Sequence, residues 1–164
     1  MKKALVYGAN SEIAKKLIET LKEGNAYWVR GVDLEDTDDT LTDEYIVADL
    51  TKESSVMTTM FSDTTPFDEV YQFVGTKKGK TADDVIKSTL VNINTLTYAK
   101  RYMVGKIISL SANNKFIENL YSLFDKDKKV KSYICKISNK TKDKDILSTI
   151  KKENKKSFKK LGKL

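Results

Sequence analysis

Residues 3–21 read KALVYGANSEIAKKLIETL, and this stretch decides the fold. The run Ala4 to Tyr7 is apolar and ends at Gly8. A polar turn, Ala9-Asn10-Ser11, follows, and then Ile13, Ala14, Leu17, Ile18 and Leu21 recur at helical spacing. The pattern predicts a strand, a glycine turn and a helix. The first N–H groups of such a helix have no partner within it, and its aligned peptide dipoles favour negative charge at that end. Gly8 lets the chain turn sharply and lets a ligand approach the backbone. The expectation is a pyrophosphate site at Gly8, Asn10, Ser11, Glu12 and Ile13, for a dinucleotide.

Downstream the same alternation repeats. Gly24-Asn25 stops the first helix, and Tyr27 to Val32 reads as a second strand ending at Asp33. Leu34 to Glu44 is acidic and aperiodic, a loop. Tyr45-Ile46-Val47 is a short third strand closed by Ala48-Asp49-Leu50. Thr51 is expected to cap a helix running to about Phe61, with Glu53 and Ser54 in its first turn. After Pro66, Glu69 to Val74 forms a fourth strand ending at Gly75. A long helix is predicted from Ala82 to Tyr102, its apolar face carrying Val85, Ile86, Leu90, Ile93, Leu96, Tyr98 and Ala99. Lys106 to Ser111 is a fifth strand. Strands written as apolar runs belong in a parallel sheet covered on both faces. The fold class is therefore α/β, a Rossmann-type doubly wound parallel sheet of strand order 3-2-1-4-5. In such a sheet Gly8, Asp33, Asp49, Gly75 and Ser111 all fall at carboxyl ends of strands, where ligands bind.

Composition narrows the chemistry. Among 164 residues there is no histidine and one cysteine, Cys135. Ser–His–Asp and Cys–His catalysis are excluded within the chain, typical zinc sites are not expected, and no internal disulfide can form. The net charge of +7 is unevenly spread. Residues 1–125 carry 15 Lys+Arg against 19 Asp+Glu, whereas residues 126–164 carry 15 Lys against 4 Asp+Glu. The expected organisation is a mildly acidic Rossmann domain over 1–125 and a Lys-rich C-terminal extension over 126–164. After a short helix from Phe116 to Phe124, that extension is read as one more strand, Val130 to Ile137. A basic amphipathic helix follows, carrying Ile146, Leu147, Ile150, Phe158 and Leu161. Phe158 is the one aromatic among the last lysines, which argues against base stacking on nucleic acid and favours a solvated terminus over an anionic surface binder. No apolar run is long enough to span a membrane and no leader pattern is visible, so the expected setting is cytoplasmic.

Taken in order, YGANSEIA, WVRGVDLED, YIVADLTKESSV, FDEVYQFVG, STLVNINTLTYAKR and GKIISLS resemble the extended short-chain dehydrogenase/reductase family. The likeness is to NAD-dependent nucleotide-sugar epimerases and dehydratases, GDP-mannose epimerase-like members in particular, and covers residues 1 to about 112. The resemblance implies a role for each matched position. Gly8 and Ala14 match the first and third positions of the family's GxxGxxG/A turn, while Ser11 or Glu12 stands at the second. Asp33 matches the acid that accepts the adenosine ribose hydroxyls and repels a 2′-phosphate, which favours NAD over NADP. Leu34 lies beside it. Asp49-Leu50 matches the pair on the adenine. Phe73, Val74 and Gly75 match the segment along the cofactor's backbone, and Asn94-Thr95 the helix segment that buttresses the site.

The family's catalytic set is Ser or Thr after strand five, with Tyr and Lys of a YxxxK motif. Tyr exchanges the proton, while Lys lowers its pKa and holds the ribose. Here the serine position falls on Ala112, with Ser111 one place early, and no YxxxK exists. Tyr133 and Lys136 form a YxxK in its place, so the candidate catalytic residues are Ser111, Tyr133 and Lys136. The substrate half of the family is missing, and the chain reads as truncated after its cofactor half. Two readings follow. One is an NAD-binding domain with weak or no nucleotide-sugar epimerase or dehydratase activity alone, working as a homo-dimer or with a partner that supplies the substrate domain. The other is a non-enzymatic NAD sensor or scaffold whose basic tail binds an acidic partner.

Overall fold

The computed structural model of the chain describes residues 1–37, 41–75, 79–112, 114–126, 130–137, 142, 144–150 and 152. Strands β1 (Lys2–Tyr7), β2 (Tyr27–Asp33), β3 (Glu44–Val47), β4 (Glu69–Gln72), β5 (Lys106–Ser111) and β6 (Lys131–Lys136) form one sheet. Their order is β3-β2-β1-β4-β5-β6, and every neighbouring pair is parallel. The expected order 3-2-1-4-5 is present, and β6 adds to it at the edge of β5. Ser111 pairs with Lys136 at the carboxyl end of that edge.

The helices are α1 (Glu12–Lys22), α2 (Glu53–Met60), α3 (Ala82–Arg101) and α4 (Lys115–Lys126). On one face of the sheet, Ala14, Leu17, Ile18 and Leu21 of α1 pack with Ala4, Val6, Tyr71 and Ile108. Ile146 and Ile150, from helical residues 144–150, join that cluster. Phe158 and Leu161 lie outside the described residues. On the other face, Val56 and Met60 of α2, Leu96 and Ala99 of α3, and Ile117 and Tyr121 of α4 meet Leu5, Val32, Val70 and Ile107. Each fully buried aliphatic side chain contributes about 1.5–3 kcal/mol, which explains why these strands are apolar throughout. Chain order reverses between β1 and β4, the position where open α/β sheets leave a crevice.

Three local expectations are corrected. Thr51 does not cap α2. The N-cap is Lys52, without a side-chain bond, because the Thr51 hydroxyl instead donates to Asp49 Oδ1 at 2.7 Å. β4 stops at Gln72 rather than Val74. Phe73 N–H still donates to the Tyr7 carbonyl at 3.0 Å, but the chain then bends into Gly75 at φ +67°. The apolar face expected for α3 is mostly outward: Val85, Ile86, Leu90 and Ile93 are 41–57% exposed. The buried side of α3 carries Ser88, Asn92 and Thr95 beside Val91, Leu96, Tyr98 and Ala99. Thr81 and Asp84 close the amino end of α3 with reciprocal capping bonds.

At the amino ends of the strands, Glu69 is buried. It accepts from the Tyr27 hydroxyl at 2.9 Å and from the Tyr71 hydroxyl, and pairs with Lys106 at 2.9 Å. Those partners offset the cost of burying its charge. This cluster lies at the opposite end of the sheet from the candidate site. Among the described residues no helix is long and apolar enough to cross a membrane.

Candidate functional site

The turn after β1 is held by its neighbours. Gly8 sits at φ +81°, and a Cβ there would lie 3.0 Å from Val74 Cγ2 and 3.1 Å from Phe73 Cβ. Only glycine fits that conformation in that space. Gly8 and Ala9 N–H both donate to the Val32 carbonyl, at 2.8 and 3.2 Å, and Ser11 N–H donates to the Gly8 carbonyl. Ser11 is the N-cap of α1, its hydroxyl accepting from Ala14 N–H at 3.4 Å. Of the first-turn donors, the N–H groups of Glu12 and Ile13 take no partner among the described residues. These two are the groups available to an anion. The Glu12 side chain is exposed beside them.

Asp33, at the end of β2, joins this turn to the rest of the site. Its Oδ2 accepts from Asn10 N–H at 2.9 Å and its Oδ1 from Leu34 N–H at 2.7 Å. A carboxylate offers about four lone-pair directions, so the two backbone bonds orient Asp33 and leave acceptor capacity for hydroxyl groups. Asn10 Nδ2 reaches on to the Glu35 carbonyl at 3.2 Å.

A cavity of about 510 Å³ opens beside Asp33 at the carboxyl ends of β2, β3 and β4. That volume is within the range of small-molecule sites. Leu34, Ala48, Asp49 and Leu50 form one wall, and Phe73, Val74 and Gly75 another. The third wall is α3 with the residues just before it: Gly79, Lys80, Lys87, Ser88 and Val91. Asp49 is fixed by Thr51, whose hydroxyl and N–H both donate to Oδ1, and these bonds hold its carboxyl below the usual range. Lys87 stands across from it, paired with Asp83 at 2.7 Å.

The loop after β4 is pinned by α3. The Gly75 carbonyl accepts from Ser88 Oγ at 2.6 Å and Asn92 Nδ2 at 3.0 Å. Asn92 is fully buried and its Oδ1 has no partner among the described residues. Asn94, on the helix segment expected to buttress the site, donates to the Leu50 and Thr51 carbonyls at 3.3 and 3.2 Å. It steadies the Leu50–Thr51 segment from behind and does not line the cavity. Sequence pattern alone does not single out Ser88 and Asn92. Their signal is a pair of polar residues four apart on the buried stripe of α3.

The three candidate catalytic residues do not converge. Ser111 is fully buried; its Oγ accepts from Asn114 N–H and donates to Glu118 Oε1, both at 3.2 Å. Lys136 Nζ pairs with Glu118 Oε2 at 2.8 Å, and Lys115 with the same oxygen at 3.3 Å. The Lys136 bond, first among the causes, holds the Glu118 carboxyl below its ordinary range. Tyr133 lies on the opposite face of β6, packed against the α1-side cluster. Among the described residues no group of three or more His, Cys, Asp or Glu is placed to hold a metal ion.

No family model and no curated protein matches the chain. Solved structures do. A mutant uronate dehydrogenase from Agrobacterium tumefaciens, complexed with NAD, shares 19% identity at a TM-score of 0.65, covering 77% of this chain and 57% of that one. A GalE-like L-threonine dehydrogenase from Cupriavidus necator, in its holo form, shares 16% at 0.68, covering 85% and 56%. The UDP-glucose 4-epimerase of Thermotoga maritima shares 14% at 0.65, covering 80% and 54%. The likeness is one of fold. The chain has the Rossmann-like sheet of these dehydrogenases and of the epimerase, and spans a little over half the length of each.

Proposed function

We propose that this chain is an NAD-binding domain, similar to the cofactor half of nucleotide-sugar epimerases and dehydratases, and that by itself it carries out no hydride transfer. The observation that carries the reading is the cavity beside Asp33 at the carboxyl ends of β2, β3 and β4. Asp33 would accept the adenosine ribose hydroxyls and repel a 2′-phosphate, so NAD is preferred to NADP. Asp49, Leu50 and Leu34 would flank the adenine, and Phe73 to Gly75 would run along the cofactor. The N–H groups of Glu12 and Ile13, without a partner among the described residues, would receive the pyrophosphate, and Gly8, Asn10 and Ser11 would shape the turn that presents them. NAD, when bound, supplies a hydride acceptor; the protein's part is to bind and orient it.

The lack of turnover rests on the ring of bonds around Glu118. Ser111 and Lys136 are both committed to it, and Tyr133 faces away, so none of these three is poised to take a proton from a sugar hydroxyl. Titration of the pure chain with NAD⁺ and NADP⁺ tests the binding half: NAD⁺ binds in the micromolar range and NADP⁺ about tenfold or more weaker, as expected for a phosphate placed against a carboxylate. Assay of the same protein with UDP-glucose and GDP-mannose tests the other half. Turnover at ordinary enzyme rates would overturn it.

A further inference from the structure

We infer that Ser88 is a positioning residue of this site: by holding the Gly75 carbonyl it fixes the Phe73–Gly75 wall of the cavity, and the affinity for a dinucleotide depends on that bond. The inference rests on the dinucleotide reading above and deepens it. β4 ends at Gln72, and Phe73 N–H makes one further bond toward β1, to the Tyr7 carbonyl at 3.0 Å. Beyond it, side chains hold the chain. Gln72 Nε2 donates to the Val74 carbonyl at 2.9 Å, and Ser88 Oγ and Asn92 Nδ2 donate to the Gly75 carbonyl at 2.6 and 3.0 Å. Ser88 and Asn92 stand four apart on α3, so one helix face serves the same carbonyl twice. Gly75 admits this close approach: a Cβ there would lie 2.8 Å from Asn92 Nδ2 and 3.3 Å from Ser88 Cα.

Ser88 is where the holding bond and the cavity meet. It makes the shorter of the two bonds to Gly75 and lines the cavity with Phe73, Val74 and Gly75; Asn92 does not line it. The wall also bears on the turn after β1: Val74 Cγ2 and Phe73 Cβ lie 3.0 and 3.1 Å from the place of a Gly8 Cβ. Releasing Gly75 from Ser88 therefore loosens the wall along which the cofactor would run, and with it the packing against the glycine turn. A wall already fixed needs little ordering when a ligand arrives, whereas a loosened one must be ordered by the ligand, which weakens binding. Such a role differs from general support of the fold, because it shows in the affinity of the folded protein and not only in its stability.

Ser132 supplies a matched control. Its Oγ donates to the Tyr121 carbonyl at 2.9 Å, joining β6 to α4, and no residue of either element lines the cavity. Calorimetric titration of NAD⁺ into the full 164-residue chain, Ser88→Ala and Ser132→Ala, with urea unfolding of each, tests the inference. Each variant loses one bond from a serine hydroxyl to a main-chain carbonyl, so both urea midpoints are expected to fall. Under conditions where all three proteins are folded, NAD⁺ should bind Ser88→Ala about fivefold or more weaker than wild type, and Ser132→Ala within about twofold of it. Equal affinity in Ser88→Ala and Ser132→Ala would overturn the inference while leaving the dinucleotide reading intact. Failure of wild type to bind NAD⁺ would overturn that reading itself, and this inference with it.

Discussion

The backbone N–H of Asn10 donates to Asp33 Oδ2 at 2.9 Å. One bond thus joins the turn after β1 to the end of β2, the two places where a Rossmann-type sheet meets the phosphates and the ribose of its ligand. With Leu34 N–H on the other oxygen, the carboxylate is fixed before any ligand arrives. Binding would then cost little ordering of the group proposed to read the ribose. The turn, the acid and the cavity wall form one preorganised unit, and the predictions below probe that unit and its supports.

Gly75→Ala is expected to lower stability by about 2 kcal/mol or more, because a left-handed backbone strains any residue with a Cβ. The added Cβ would also stand 2.8 Å from Asn92 Nδ2 and 3.2 Å from the Ser88 carbonyl oxygen. Urea unfolding reads the change as a fall in midpoint at constant slope. An unchanged midpoint would mean that the loop after β4 is not held as described.

Leu90 and Leu96 separate the two faces of α3. Leu96 is 3% exposed, so Leu96→Ala should cost about 2–5 kcal/mol. Leu90 is 41% exposed, so Leu90→Gln should stay within about 0.5 kcal/mol of wild type in the same assay. Equal losses for the two variants would restore the face read from periodicity and refute the one described.

Glu118 makes stability depend on acid. Its folded pKa is held below the ordinary 4.5 by Lys136 first, then by its bonds to Lys115 and Ser111. A carboxyl depressed on folding stabilises the protein fully above its unfolded pKa, and that contribution disappears as pH falls through the lower folded value. The stability gap between wild type and Glu118→Gln should therefore be widest at neutral pH and shrink steadily below about pH 4.5. Urea titrations at pH 7 and at low pH measure it; a gap that stays constant would remove the charge from the account.

Much of the fold was legible because parallel strands buried on both faces announce themselves as apolar runs. Lys3 to Leu21 gave strand, turn and helix within a residue or two, and the alternation of strands with helices, taken with right-handed crossovers, led to the sheet order. α3 was misread at the level of its face, for a physical reason. Its buried stripe is used for hydrogen bonds, Ser88 and Asn92 to Gly75 and Thr95 beside Gln72, so polarity no longer marks the outside. The same exchange hid Asn92 behind Asn94. Thr51 has the composition of a cap, yet the stronger acceptor two residues earlier takes its hydroxyl. Ser111 and Lys136 were singled out separately by likeness to a motif. That both serve Glu118 depends on β5, α4 and β6 meeting in space, which spacing along the chain does not encode.

Calorimetric titration of NAD⁺ into wild type, Asp33→Asn and Asp33→Ala tests the central claim most directly. Asp33→Asn keeps one carbonyl oxygen for a backbone N–H, so the variants separate loss of charge from loss of the turn. The account predicts micromolar-range binding by wild type, with a loss of about tenfold or more in Asp33→Asn and a larger one in Asp33→Ala, the range for hydrogen bonds to a charged group. Equal affinity in all three proteins, or no binding by wild type, would contradict the assignment of this cavity to the adenosine end of a dinucleotide.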